Sequence, residues 1–172
     1  MRLHVQESGD GPPVVLMHGL FGMARNLGAV QRALAPRFRV LALELRNHGA
    51  SPHGADMRYD TMAEDVRETL AAHDALGAAV IGHSMGGKTA MRLALRHPSA
   101  VGRLCVADIA PVVYPPRNGP IVAALRAIPL TPNLTRAQAD QALAENVDDP
   151  ALRAFLLQNL AVVAYAEPMR EK

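Results

Sequence analysis

The stretch Gly82-His83-Ser84-Met85-Gly86-Gly87-Lys88-Thr89 places a serine hydroxyl, a lysine ammonium and three glycines within eight residues. Two chemistries claim it. Gly82-x-Ser84-x-Gly86 has the spacing of a nucleophile elbow, in which flanking glycines admit a strained strand-to-helix turn that exposes the hydroxyl for attack on an acyl carbonyl. Gly82-x4-Gly87-Lys88-Thr89 has the spacing of a P-loop, in which backbone N–H groups cradle phosphates. The run Leu104-Cys105-Val106-Ala107-Asp108 supports the second reading, because an apolar strand ending in a carboxylate suits a Mg²⁺ ligand.

The rest of the chain decides for acyl chemistry. Ser84 carries glycines at minus two and plus two, which an elbow requires and a phosphate loop does not. His18-Gly19-Leu20-Phe21-Gly22 closes an earlier apolar run and has no task in nucleotide hydrolysis. Nothing else in the chain reads as a nucleotide-base pocket, so a P-loop NTPase is the distant alternative. An acyl-transfer site needs fixed donors for the oxyanion, each worth about 2.7–4 kcal/mol. Met85 N–H, at the start of the following helix, is one candidate. Leu20 N–H is the expected second, with Phe21 N–H as its alternative, on a loop whose glycines permit close backbone approach.

Histidines near this edge invite a base assignment. His18 and His83 occupy motif positions where backbone geometry is the usual need, and a packing or hydrogen-bonding role is the expectation for each; His48 lies at the same sheet edge, where a structural loop role is expected. His48 and His18 are the candidates for a surrogate base. The seven histidines lack metal-ligand spacing, and no Cys/His or carboxylate cluster points to a metal.

The elements that must position these groups follow from the apolar pattern. Pro13–Met17, Phe38–Leu45, 78–82 and 101–108 read as buried strands, with a short edge strand over 2–7. Helices are expected from Asn26 to Leu34, from Thr61 to Leu76 and over 85–97, each ended by a proline or glycine. The alternation implies an α/β fold: a mostly parallel sheet with right-handed crossovers and helices on both faces. Gly19, Arg46, Ser84 and Asp108 then share the carboxyl edge, where such sheets bind ligands. After Pro111 the character changes to a proline-rich linker and three helical patterns, 121–127, 135–146 and 149–160. Residues 1–111 thus read as the core, and 112–172 as a truncated helical lid.

Composition narrows the class further. A chain of 172 residues with net charge +2 and scattered arginines offers no basic stripe for nucleic acid. No apolar run is long enough to span a bilayer, and the N-terminus lacks a signal-peptide pattern. Cys105 is the single cysteine, expected as a buried inert thiol, and the default is a cytoplasmic protein.

Four motifs in order resemble the α/β-hydrolase superfamily, and within it the group of YbfF-type esterases and abhydrolase-domain protein 11. They are His18-Gly19-Leu20-Phe21-Gly22 with Arg25-Asn26, Leu43-Glu44-Leu45-Arg46-Asn47-His48-Gly49 with Ser51-Pro52, Gly82 to Ala90, and Asp108-Ile109-Ala110-Pro111 with Tyr114. The resemblance covers residues 1–160. It implies a serine carboxylesterase of small to medium acyl esters, without a cofactor. Ser84 is then the nucleophile, Leu20 and Met85 the oxyanion donors, and Asp108 the triad acid. Glu44, Met23 and Leu27 depart from the group's habits.

The larger departure is a missing base. The triad order in such enzymes is Ser, acid, His, yet no histidine follows His97. A hydrolase impaired by this absence is one expectation; a non-catalytic fragment or pseudoenzyme that binds acyl ligands is the alternative. The sheet is also expected to end on an unpaired strand at 101–108, an edge open to homo-oligomerisation or domain swapping.

Overall fold

The computed structural model describes residues 1–115 and 118–161. Five strands form one sheet: β1 (His4–Ser8), β2 (Pro13–Met17), β3 (Arg39–Glu44), β4 (Ala78–His83) and β5 (Val101–Ala107). Their order is β1-β3-β2-β4-β5, with β1 antiparallel to β3 and all other pairs parallel. This is the α/β architecture expected from the alternating pattern. The central strand β2 is continuously apolar because it is covered on both faces. Val15, Met17, Leu41 and Leu43 point to one face, where they pack with Met62, Val66 and Leu70 of α2 (Tyr59–Ala72) and Ala90 and Leu93 of α3 (Met85–Arg96). Val14, Leu16, Val40 and Ala42 point to the other, beneath α1 (Gly28–Leu34) and the 3₁₀ turn Ala24–Leu27. Each fully buried Leu or Val there contributes about 1.5–3 kcal/mol.

Three local expectations shift. Asn26 does not cap an α-helix directly: its Oδ1 accepts from Met23 N–H at 2.7 Å, which makes the 3₁₀ turn, and α1 starts at Gly28. The second helix begins at Tyr59 rather than Thr61, because Thr61 Oγ1 donates to Asp56 instead of capping.

The third concerns β5. It is not the buried strand its sequence suggests: Arg103, Leu104 and Cys105 are exposed. The register explains this for Arg103 and Cys105, which lie opposite Ala79 and Ile81 on the α1 face of the sheet, while α1 packs over β2 and β3. Cys105 is therefore an exposed free thiol, correcting its expected burial. Among the described residues, no strand pairs with the far side of β5.

Contacts divide the chain into two units, Met1–Tyr114 and Pro115–Lys172. The second contains α4 (Gly119–Ala127), α5 (Arg136–Ala144) and α6 (Pro150–Leu157), with no strand among its described residues. Thr135 and Gln138 form a capping box that starts α5, and Asp149 Oδ1 accepts from Ala151 N–H at 2.8 Å to start α6. Leu143, Leu156 and Leu157 are buried on these helices. The stretch Val162–Pro168, read in the sequence as lacking a partner element, lies outside the described residues.

Candidate active site

The elbow is built by steric exclusion around Ser84. Ser84 has φ 51° and ψ −114°, a conformation that few non-glycine residues adopt. Glycines make it reachable. A Cβ on Gly82 would strike the Gly86 carbonyl oxygen and come within 2.7 Å of Gly87 Cα. A Cβ on Gly86 would lie 2.5 Å from Met17 O and 2.6 Å from His18 O, so helix α3 enters directly over the end of β2. Ser84 N–H donates to Ala107 O at 3.0 Å, and Ser84 O accepts from Lys88 N–H at 3.1 Å. The serine is thus fixed from behind by β5 and from ahead by the first turn of α3.

The loop after β2 closes against it. A Cβ on Gly19 would sit 3.3 Å from Ser84 Cβ and 3.0 Å from His83 Nδ1, so a larger residue there would have to push these side chains back by a few tenths of an ångström. Gly22 N–H returns to Gly19 O at 3.0 Å, and Phe21 takes φ 62°. Phe21 N–H donates to His48 Nε2 at 3.1 Å, which commits that donor. Leu20 N–H and Met85 N–H, by contrast, have no acceptor among the described residues.

The two surrogate-base candidates are committed as well. His18 is buried; its Nδ1–H donates to Gly19 O at 2.7 Å, and Nε2 accepts from Leu45 N–H at 3.0 Å. Burial pushes its pKa down to about 4, so the ring is neutral at pH 7. His48 repeats the arrangement: Nδ1–H donates to Arg46 O at 2.8 Å while Nε2 holds Phe21 N–H. Burial lowers its pKa too. Each imidazole joins one loop to another, and neither has a nitrogen left for a proton from Ser84.

Asp108 stands at the end of β5 with φ 56°, and its side chain is 86% exposed. Its Oδ2 lies 3.5 Å from His83 Nε2. The structure therefore brings Ser84, Leu20, Met85 and Asp108 to one edge, and it places His18 and His48 behind that edge as braces. Glu44, which in the sequence stands out only as a departure from the group's habits, ties the site together. Its carboxylate accepts from Ala24 N–H at 3.2 Å and Ala50 N–H at 2.6 Å, tying the loops after β2 and β3 together. A Cβ on Gly49, at φ 54°, would collide with that carboxylate. In the sequence Glu44 ends an apolar strand and is followed by Leu-Arg-Asn-His-Gly, which marks the loop but not the amides that converge on the acid. Beneath the second loop, Arg46 forms a buried two-point pair with Asp65, at 2.6 and 3.1 Å.

Lys88 does not face a phosphate cradle; its Nζ donates to Val112 O at 2.5 Å. Among the described residues, no group of His, Cys, Asp and Glu is placed to hold a metal. No described helix is long and apolar enough to cross a membrane.

A left-handed serine between β4 and α3, with a glycine loop against it, defines the α/β-hydrolase class. The chain belongs to the alpha/beta hydrolase fold family, whose model matches residues 12–155. It is similar to the sn-1-specific diacylglycerol lipase ABHD11 of Mus musculus, at 40% identity over 160 residues, covering 88% of this chain and 52% of that protein. It is similar also to Esterase YbfF of Escherichia coli strain K12, at 37% identity over 155 residues, covering 90% and 61% respectively. A solved structure described as a marine microorganism esterase superposes with TM-score 0.88 at 38% identity, covering 92% of this chain and 64% of that one. The chain spans about half to three-fifths of the length of these curated relatives.

Proposed function

We propose that this chain carries the nucleophile, oxyanion donors and acid of a serine carboxylester hydrolase acting on small to medium acyl esters. The observation that carries the reading is the left-handed conformation of Ser84 between β4 and α3. A strain of that kind persists where function requires the side chain in an otherwise unfavourable place. In this reading Ser84 Oγ attacks the ester carbonyl. The developing oxyanion is held by Leu20 N–H and Met85 N–H, the second at the positive end of α3. Asp108 is the acid that would orient a histidine base, the group that would take the serine proton and pass it to the leaving alcohol, and neither His18 nor His48 supplies that base. Its exposed carboxylate is open to such a ring. The names of the relatives, a diacylglycerol lipase and an esterase, support an ester substrate.

The commitment of His18 and His48 favours a second reading for the 172-residue polypeptide: it binds acyl ligands and turns them over slowly or not at all. A triad without its base retains roughly 10³–10⁴-fold acceleration over water from binding and the oxyanion hole. The open edge of β5 supports self-association or strand exchange between copies, and the single cysteine fits a cytoplasmic setting.

A fluorophosphonate probe, with p-nitrophenyl acetate and butyrate as substrates, tests the two readings against each other. Labelling and turnover that vanish in Ser84→Ala support the hydrolase. A folded protein that resists labelling favours the binding reading.

A further inference from the structure

Lys88 is the residue that the acyl reading leaves without a task. Its backbone N–H closes the first turn of α3 on Ser84 O at 3.1 Å. Its side chain runs the other way, to the segment after β5. There Nζ donates to Val112 O at 2.5 Å and stands 4.8 Å from the centroid of the Tyr114 ring. Cations within about 6 Å of a ring face are attracted by its quadrupole. Tyr114 in turn folds back: its hydroxyl accepts from Ala110 N–H at 3.2 Å. Ile109 presses on the same helix, with Cγ2 2.8 Å from the point a Cβ on Gly87 would occupy. Residues 109–114 therefore form a strap across the start of α3, and Asp108, at φ 56°, is the residue from which the strap leaves β5.

We infer that Lys88 is a positioning residue for the acid loop, clamping the 109–114 strap so that Asp108 stays beside the elbow. The role rests on the assignment of Asp108 as acid under the proposed function. It works because one residue serves both partners: the backbone of Lys88 belongs to the turn that carries Ser84, and its ammonium grips the strap that carries Asp108. A carbonyl acceptor and an aromatic face together select a cation. Methionine has the length of lysine but neither interaction, whereas arginine keeps both. The exposed carboxylate of Asp108 stands 3.5 Å from His83 Nε2, so the strap and that contact together define its place.

The test compares the full chain with Lys88→Met and Lys88→Arg by NMR. In the wild type, the Lys88 ε-methylene protons are expected upfield of ordinary lysine values through the Tyr114 ring current, and the Ala110 amide is protected. Lys88→Met is expected to raise Ala110 exchange by about fivefold or more while sheet amides are unchanged, as for local opening. Lys88→Arg is expected to restore the protection. Where the wild type reacts with a fluorophosphonate, Lys88→Met slows labelling and Lys88→Arg recovers it. Unshifted Lys88 protons, unchanged Ala110 exchange in Lys88→Met, or failure of arginine to restore protection each overturn the clamp. A wild type that does not label counts against the hydrolase reading, and the exchange result then decides the clamp alone.

Discussion

Phe21 N–H donates to His48 Nε2 at 3.1 Å, joining loops 27 residues apart in sequence. Because His48 Nδ1–H is simultaneously bound to Arg46 O, the ring is a fixed neutral spacer between the oxyanion loop and the loop after β3. The bond also leaves Leu20 N–H, rather than Phe21 N–H, as the donor with no acceptor.

Removing that spacer takes away the bond that His48 Nε2 makes to Phe21 N–H and unties the two loops. His48→Ala is expected to destabilise the fold by about 1–3 kcal/mol, the net loss of two hydrogen bonds at roughly 0.5–1.5 kcal/mol each. The loss is to be read from urea unfolding midpoints. Fluorophosphonate labelling of Ser84 is expected to slow as the loop loosens. A variant as stable as wild type, labelling at the same rate, would show that His48 does not brace the loop.

His18 gives stability a pH dependence whose sign is fixed by its burial. Its folded-state pKa is pushed down to about 4 from an ordinary 6.5, so between these values the unfolded chain binds the proton and the fold does not. Stability from this group is complete above pH 6.5 and declines as pH falls toward 4, by at most about 3 kcal/mol in all. His48 shifts the same way. Asp60, held down to about 2 by Arg92 and Arg96, acts at lower pH and outside this window. Urea titrations from pH 7 to pH 4 should therefore show a shallower decline in His18→Gln, which cannot titrate. Equal slopes would sink the assignment.

The sheet and the elbow were legible in the sequence for a physical reason. Apolar runs such as Val14–Met17 can be satisfied only between two helical layers, and Gly82 and Gly86 have no other purpose than close backbone approach. The exposure of β5 was not legible, because Leu104-Cys105-Val106-Ala107 has the composition of a buried strand, and burial depends on which neighbours cover it. Nor was the committed state of His18 and His48: a histidine's type shows that it can be a base, while only its hydrogen bonds show that both nitrogens are occupied. Glu44 was noticed only as a departure from a family habit, since nothing local in the sequence reveals that Ala24 and Ala50 converge on it.

The exposure of Cys105 is directly measurable. The native protein is expected to react with one equivalent of a chromogenic disulfide reagent without denaturant, at a rate near that of the unfolded chain. Protection by tenfold or more would place a covering element on the α1 face of β5, contrary to the observed exposure.

Gly86 leaves no room for a side chain. An added Cβ would meet Met17 O at 2.5 Å and His18 O at 2.6 Å, both backbone atoms that cannot swing aside. Gly86→Ala is expected to destabilise by about 1–3 kcal/mol, the usual range for overpacking, or more. Gly119→Ala, whose Cβ would meet nothing within 4 Å, is the matched control and should be nearly neutral. Circular dichroism and urea unfolding of the two variants check the contrast. A Gly86→Ala variant as stable as the control would mean that α3 can move away from β2.

The strain at Ser84 predicts a trade between stability and chemistry. Backbone held in a sparsely populated region costs about 1–3 kcal/mol per residue. Glycine at the same position relieves most of that cost, while its greater freedom in the unfolded chain returns about 0.5–1 kcal/mol of the gain. Ser84→Ala keeps a Cβ and therefore keeps the strain. Ser84→Gly is thus expected to be more stable than Ser84→Ala by about 1 kcal/mol, with both variants inert to the fluorophosphonate probe. Urea unfolding of the pair isolates the backbone term, since neither carries the hydroxyl. If Ser84→Gly unfolds at the same urea concentration as Ser84→Ala, or earlier, the conformation at φ 51° and ψ −114° stores no strain, and the main support for Ser84 as nucleophile is lost.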